Sequence, residues 1–196
     1  MTNTEIQIPE LSQLEYLPYI NSEGKLPLSL QGKIGVYGIF DEVKKLLFIG
    51  YSRDVYQSIK VHLVRQPNSC YWLKVQTIEG PNRSILEGIK AAWINENGSL
   101  PIGNGTAEAK WNQPIDVKQE MTEAEKVQYQ DPLIDEVDKE KLLKNIARRV
   151  EANILEVLKT RGLQENIRFS PKLKASGILD LKLSLIHISE PTRRNS

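Results

Sequence analysis

Two runs of β-branched and aromatic residues, Ile34-Gly35-Val36-Tyr37-Gly38-Ile39-Phe40 and Leu46-Leu47-Phe48-Ile49-Gly50, lie on either side of the charged turn Asp41-Glu42-Val43-Lys44. Runs of this composition around a short polar turn form a β-hairpin, and the hairpin restricts everything that follows it. Asp54 then serves as the N-cap of a helix that carries Val55, Ile59, His62 and Leu63 on one side and closes at Pro67-Asn68. A third strand is predicted from Cys70 to Ile78. After Pro81, the residues Ile85, Leu86, Ile89, Ala92 and Trp93 recur at helical spacing between Ser84 and Glu96, and Asn97-Gly98 stops the helix. The order is ββαβα. It predicts an α/β (α+β) fold with a small, three-stranded, mainly antiparallel sheet flanked by helices.

The flanks differ in character. Residues 1–32 form an acidic, proline-punctuated lead-in, whose apolar stretch Leu14 to Ile20 is expected to cover an edge of the core with little regular structure. Residues 105–121 read as a linker. Residues 122–182 read as a helical C-terminal extension: Thr122-Glu123-Ala124-Glu125 is a capping box, and Leu143, Ile146, Val150, Ile154 and Leu158 trace one face of a long amphipathic helix ending at Arg161-Gly162. Its other face mixes Lys139, Lys141, Lys144, Arg148, Arg149 and Lys159 with Glu140, Glu151 and Glu156. That face is either simply solvated or a phosphate-binding surface, and the 139–161 helix is a candidate contact for a protein partner. Residues 183–196 read as a translated sequencing adapter rather than native protein, on the run Leu183-Ser184-Leu185-Ile186-His187-Ile188-Ser189-Glu190-Pro191-Thr192-Arg193.

Composition narrows the functional classes. The formal net charge of +1 falls to zero when Glu190, Arg193 and Arg194 are set aside, so any surface for nucleic acid must be local rather than a general basic excess. The chain has one cysteine, Cys70, with no partner for a disulfide and no second thiol for a metal cluster. No apolar run is long enough to cross a bilayer, and Met1 to Ile6 lacks signal-peptide chemistry. These features predict a protein of a reducing compartment, cytoplasmic or like the plastid stroma, with no membrane partner.

Five short motifs in order then resemble the GIY-YIG nuclease superfamily. Gly35-Val36-Tyr37 stands at Gly-Ile-Tyr, and Phe48-Ile49-Gly50 at Tyr-Ile-Gly. Gly50-Tyr51-Ser52-Arg53-Asp54 is similar to the turn after the second motif, with His62 following at the position of an aromatic or histidine. Leu86-Glu87 resembles the metal-binding pair, and Pro101-Ile102-Gly103-Asn104 the terminal Pro-x-x-Asn. The likeness covers residues 33–104 and is greatest to the GIY-YIG-like domain of bacterial and plastid proteins, as at the N-terminus of chloroplast monothiol glutaredoxins.

The resemblance implies Mg²⁺-dependent (or Mn²⁺-dependent) hydrolysis of a phosphodiester in DNA or RNA. Glu87 would hold the metal, a hard cation that accepts a single carboxylate and keeps most of its waters. Tyr37 would take the proton from the attacking water, for which a phenol needs a cation beside it. The family places an arginine for that purpose where this chain has Ser58, and Phe48 removes a second hydroxyl. Each lost donor costs on the order of 2.7–4 kcal/mol of transition-state stabilisation. Arg53 or Lys60 could stand in, Arg53 equally being a plain surface arginine. His62 is either a partly buried imidazole or a catalytic contact, and Arg53, Lys60 and Asn104 are candidate nucleic-acid ligands. The alternative is a catalytically degenerate domain that binds nucleic acid or protein. Trp72, Trp93 and Trp111 are expected to pack rather than stack on bases.

Overall fold

The computed structural model describes residues 7–182; the adapter-like stretch 183–196 lies outside them. The elements in chain order are β1 (Leu17–Pro18), β2 (Ile34–Phe40), β3 (Leu46–Ser52), α1 (Val55–Arg65), β4 (Trp72–Ile78), α2 (Arg83–Asn97), α3 (Glu108–Asn112), β5 (Ile115–Asp116), α4 (Glu123–Tyr129), α5 (Glu136–Thr160) and β6 (Ile178–Leu179). The predicted ββαβα order is present. The main sheet has four strands in the order β1-β4-β2-β3, all antiparallel, rather than three. The fourth comes from the lead-in, where Leu17 and Pro18 pair with Leu73 and Trp72. Proline is tolerated there because β1 lies at the sheet edge.

Local chemistry sets the boundaries. Asp41 Oδ1 accepts from the backbone N–H groups of Val43 and Lys45, which lets Lys44 take a positive φ of 66° and close the hairpin. Asp54 caps α1 by accepting from Gln57 N, as expected, and α1 runs to Arg65. The cap of α2 is Asn82, so this helix starts one residue before the predicted Ser84, and Gly98 ends it in the left-handed conformation. The Thr122–Glu125 capping box is formed in both directions.

The sheet has two covered faces. Side chains alternate along a strand, so Tyr37, Ile39 and Phe48 face α1 while Val36, Phe40 and Ile49 face α2. On the α2 face Leu86, Ile89 and Trp93 complete a compact cluster. On the α1 face the cluster is far larger. It takes in Ile59 and Leu63 of α1, Trp111, Val117, Ile146, Val150, Ile154 and Leu158 of the predicted α5 stripe, with Leu142 in place of Leu143, and Ile167, Phe169, Leu179 and Leu181. Residues 105–121, read as a linker, thus contain α3, β5 and the buried Trp111. Past α5 the chain is not helical: a 3-10 turn at Pro171–Ser176 leads into β6, which pairs with β5.

Candidate nucleic-acid interface

The sheet divides the residues singled out by sequence into two groups. On the α1 face, the Tyr37 hydroxyl and His62 Nε2 share a 2.9 Å hydrogen bond inside the core, and Tyr37 is 3% exposed. Phe48, Tyr37 and Trp111 surround the imidazole, with the Phe48 ring centroid 4.6 Å from it and Trp111 stacked on Phe48 at 5.3 Å. Gly50 belongs to this packing: a Cβ there would lie 2.7 Å from the Tyr37 hydroxyl, so only glycine admits the ring. Burial pushes the His62 pKa down to about 3, with the Arg65 cation adding to the effect. The Trp111 backbone opposes this weakly, and His62 Nδ1 makes no hydrogen bond among the described residues. His62 is therefore a neutral, buried ring.

On the α2 face lies an open cleft of about 200 Å³, lined by Tyr51, Ser52, Arg53, Pro81, Asn82, Arg83 and Leu86. Glu87 stands beside it. Its Oε1 accepts 2.8 Å from Arg83 Nε and 3.2 Å from the Tyr51 hydroxyl. The Arg83 bond, followed by the Tyr51 bond, holds the Glu87 carboxyl below the usual carboxylate range, and Glu87 raises Arg83 in return. Arg53 is exposed at the same cleft. Lys90, one turn along α2, brings its Nζ to 5.9 Å from the Tyr51 ring centroid.

Arg53 and Glu87 are thus brought to one surface, while Tyr37 and His62 lie across the sheet from it. Lys60 is on α1, half-buried, and lines no part of the cleft. Ser58 donates to Ser52 Oγ at 2.7 Å and, with Asp54, fastens the turn entering α1. Asn104 is consumed structurally: its Oδ1 accepts from Ile49 N at 2.8 Å and its Nδ2 donates to Ile49 O at 2.7 Å, pairing with the free edge of β3 as a strand would. Two cleft residues, Tyr51 and Arg83, were not singled out by sequence. Arg83 was readable as the i−4 partner of Glu87 on a helix, but Tyr51 falls in a variable motif position.

The donor set bears on a metal. Among the described residues no group of three or more His, Cys, Asp or Glu side chains converges. Glu87 Oε2 makes no hydrogen bond among them, which leaves one carboxylate oxygen for a hard cation that retains its waters. That fits Mg²⁺ and no ion needing several protein ligands. No helix is long and apolar enough to cross a membrane among the described residues.

Comparison with known proteins supplies the remaining findings. The chain matches no family model. It is 31% identical over 101 residues to the bifunctional monothiol glutaredoxin-S16, chloroplastic, of Arabidopsis thaliana, a match that takes in 50% of this chain and 33% of that protein. The chain therefore spans about a third of the length of this curated relative, and the aligned part is half of its own length.

Proposed function

We propose that this protein is a GIY-YIG-like module that binds nucleic acid by its phosphate backbone at the cleft between β3 and α2. The observation that carries this reading is the grouping of Arg53, Arg83 and Tyr51 on one open surface, while Tyr37, the expected base, is buried against a neutral His62. Guanidinium groups present planar forks that suit phosphate oxygens, and here they provide the local cationic surface that a chain of near-zero net charge requires. Fluorescence anisotropy of labelled DNA and RNA tests it. Wild type binds with a salt-dependent affinity that Arg53→Gln/Arg83→Gln removes; no affinity for either polymer would sink the reading.

A second reading, Mg²⁺-dependent hydrolysis at the same cleft, is favoured by the unused Glu87 Oε2. Mg²⁺ bound there would polarise a phosphoryl oxygen and lower the pKa of a bound water. Glu87 would hold the ion, Arg83 would steady Glu87, and Arg53 would hold the phosphate. Nicking of plasmid DNA that needs Mg²⁺ and is abolished by Glu87→Gln would establish it. The glutaredoxin activity in the relative's name finds no support in Cys70, which is fully buried and whose thiol is pushed up to about 12 by burial.

A further inference from the structure

We infer that the cleft takes single-stranded nucleic acid in preference to duplex, an inference that rests on the nucleic-acid reading above. The first ground is the number of cations. Duplex binders of ordinary strength neutralise six or more phosphates along a basic stripe. Here the cations at the cleft are Arg53 and Arg83, with Lys90 beyond them, and the acidic Glu87 sits among them. Arg83 is already paired with that carboxylate at 2.8 Å. So few contacts hold a rigid polyanion only weakly.

The second ground is size and lining. A recess of about 200 Å³ admits one backbone phosphate and the groups next to it, not the side of a double helix. Its wall carries the Tyr51 ring, whose hydroxyl is tied to Glu87 Oε1 and whose other end packs against the α2-face cluster. The ring is thereby fixed in place. An aromatic held at the rim beside a phosphate-sized recess suits an unpaired base, which offers a π-face that a stacked duplex base conceals. Lys90 near the ring adds positive charge on the path a strand would follow.

The test is anisotropy of a labelled oligonucleotide of about 16 nucleotides, alone and annealed to its complement, across a salt series without added metal. The single strand is expected to bind more tightly, with log K falling against log salt with a slope of about −1.4 to −2, as two to three phosphates require. Tyr51→Leu, which keeps the apolar packing, weakens it about tenfold, and Tyr51→Phe, which keeps the ring, restores affinity to within about twofold. Arg53→Gln makes the slope shallower by about 0.7. Duplex bound as tightly as single strand, or Tyr51→Leu without effect in a variant of unchanged melting temperature, overturns the inference. Duplex binding that still depends on Arg53 leaves the nucleic-acid reading standing without it; binding of neither polymer removes both.

Discussion

Tyr37 and His62 show what a single hydrogen bond does once the sheet has taken it inside. The pair is buried, so Tyr37→Phe leaves His62 Nε2 without its partner in an apolar cluster, and the cost of an orphaned buried group is about 1–3 kcal/mol. Urea unfolding of Tyr37→Phe should show that loss, whereas nucleic-acid affinity stays unchanged; a large affinity loss would place Tyr37 at the interface after all. The imidazole also makes stability depend on pH. Its folded pKa is depressed to about 3, against roughly 6.5 for an unperturbed histidine, so below that value the unfolded chain gains a proton that the folded one refuses. Its stabilising contribution is complete above about pH 6.5 and falls by about 1.4 kcal/mol per pH unit as pH drops toward 3. Denaturation at a series of pH values should give a flatter profile for His62→Leu in this window. At the cleft, Glu87→Gln removes the one negative charge among the cations and should tighten DNA binding about two- to fivefold at low salt without changing the melting temperature. Weaker binding would mean that Glu87 orients Arg83 rather than competing for it.

The elements themselves were legible because each is written in local periodicity. The β-branched and aromatic run Ile34–Phe40, the Asp54 cap, the Leu86/Ile89/Trp93 spacing and the Thr122 capping box depend on residues within one or two turns of each other. What covers each face is a long-range matter and was not legible. The stripe Leu143 to Leu158 announces a buried helix face but not that it meets the α1 side of the sheet, and Leu17-Pro18 carries no strand signal apart from its partner β4. The same limit explains the site. Motif order groups Glu87 and Arg53 with Tyr37, whereas strand alternation sends Tyr37 to the other face. Asn104 marks where element and site meet. Its amide forms both hydrogen bonds to Ile49 on the outer edge of β3, so Asn104→Ala exposes a strand edge and loses two bonds worth about 1 kcal/mol each. Hydrogen exchange should quicken at Ile49 N–H in that variant, while exchange in α5 keeps its rate. Unchanged exchange at Ile49 would show that other contacts of the 101–105 turn hold the edge.

For the molecule as a whole, the question is whether residues 33–104 fold by themselves, as a motif-bounded module would. The α1 face of the sheet is apolar and is covered by residues from beyond Asn104: Trp111 stacks on Phe48, and Ile146, Ala147, Ile154 and Leu158 of α5 lie in the same cluster as Ile59 and Leu63. The attachment is also polar. Arg65 donates to Trp111 O and pairs with Asp180 at 3.7 Å, Arg161 donates to the carbonyls of Pro67 and Cys70, and Glu165 accepts from the Tyr56 hydroxyl and from Leu26 N. Removing the C-terminal part would bare a large apolar surface and orphan several of these groups together. Each Å² of apolar surface left in water costs about 25 cal/mol, against a stability of roughly 5–15 kcal/mol for an ordinary domain. A fragment of residues 1–104 should therefore show no cooperative melting by circular dichroism and poorly dispersed amide resonances, while residues 1–182 melt in one transition. A fragment that melts cooperatively near the temperature of the longer chain would show that the α1 face needs no cover, and that the helical part is a separate domain resting on it.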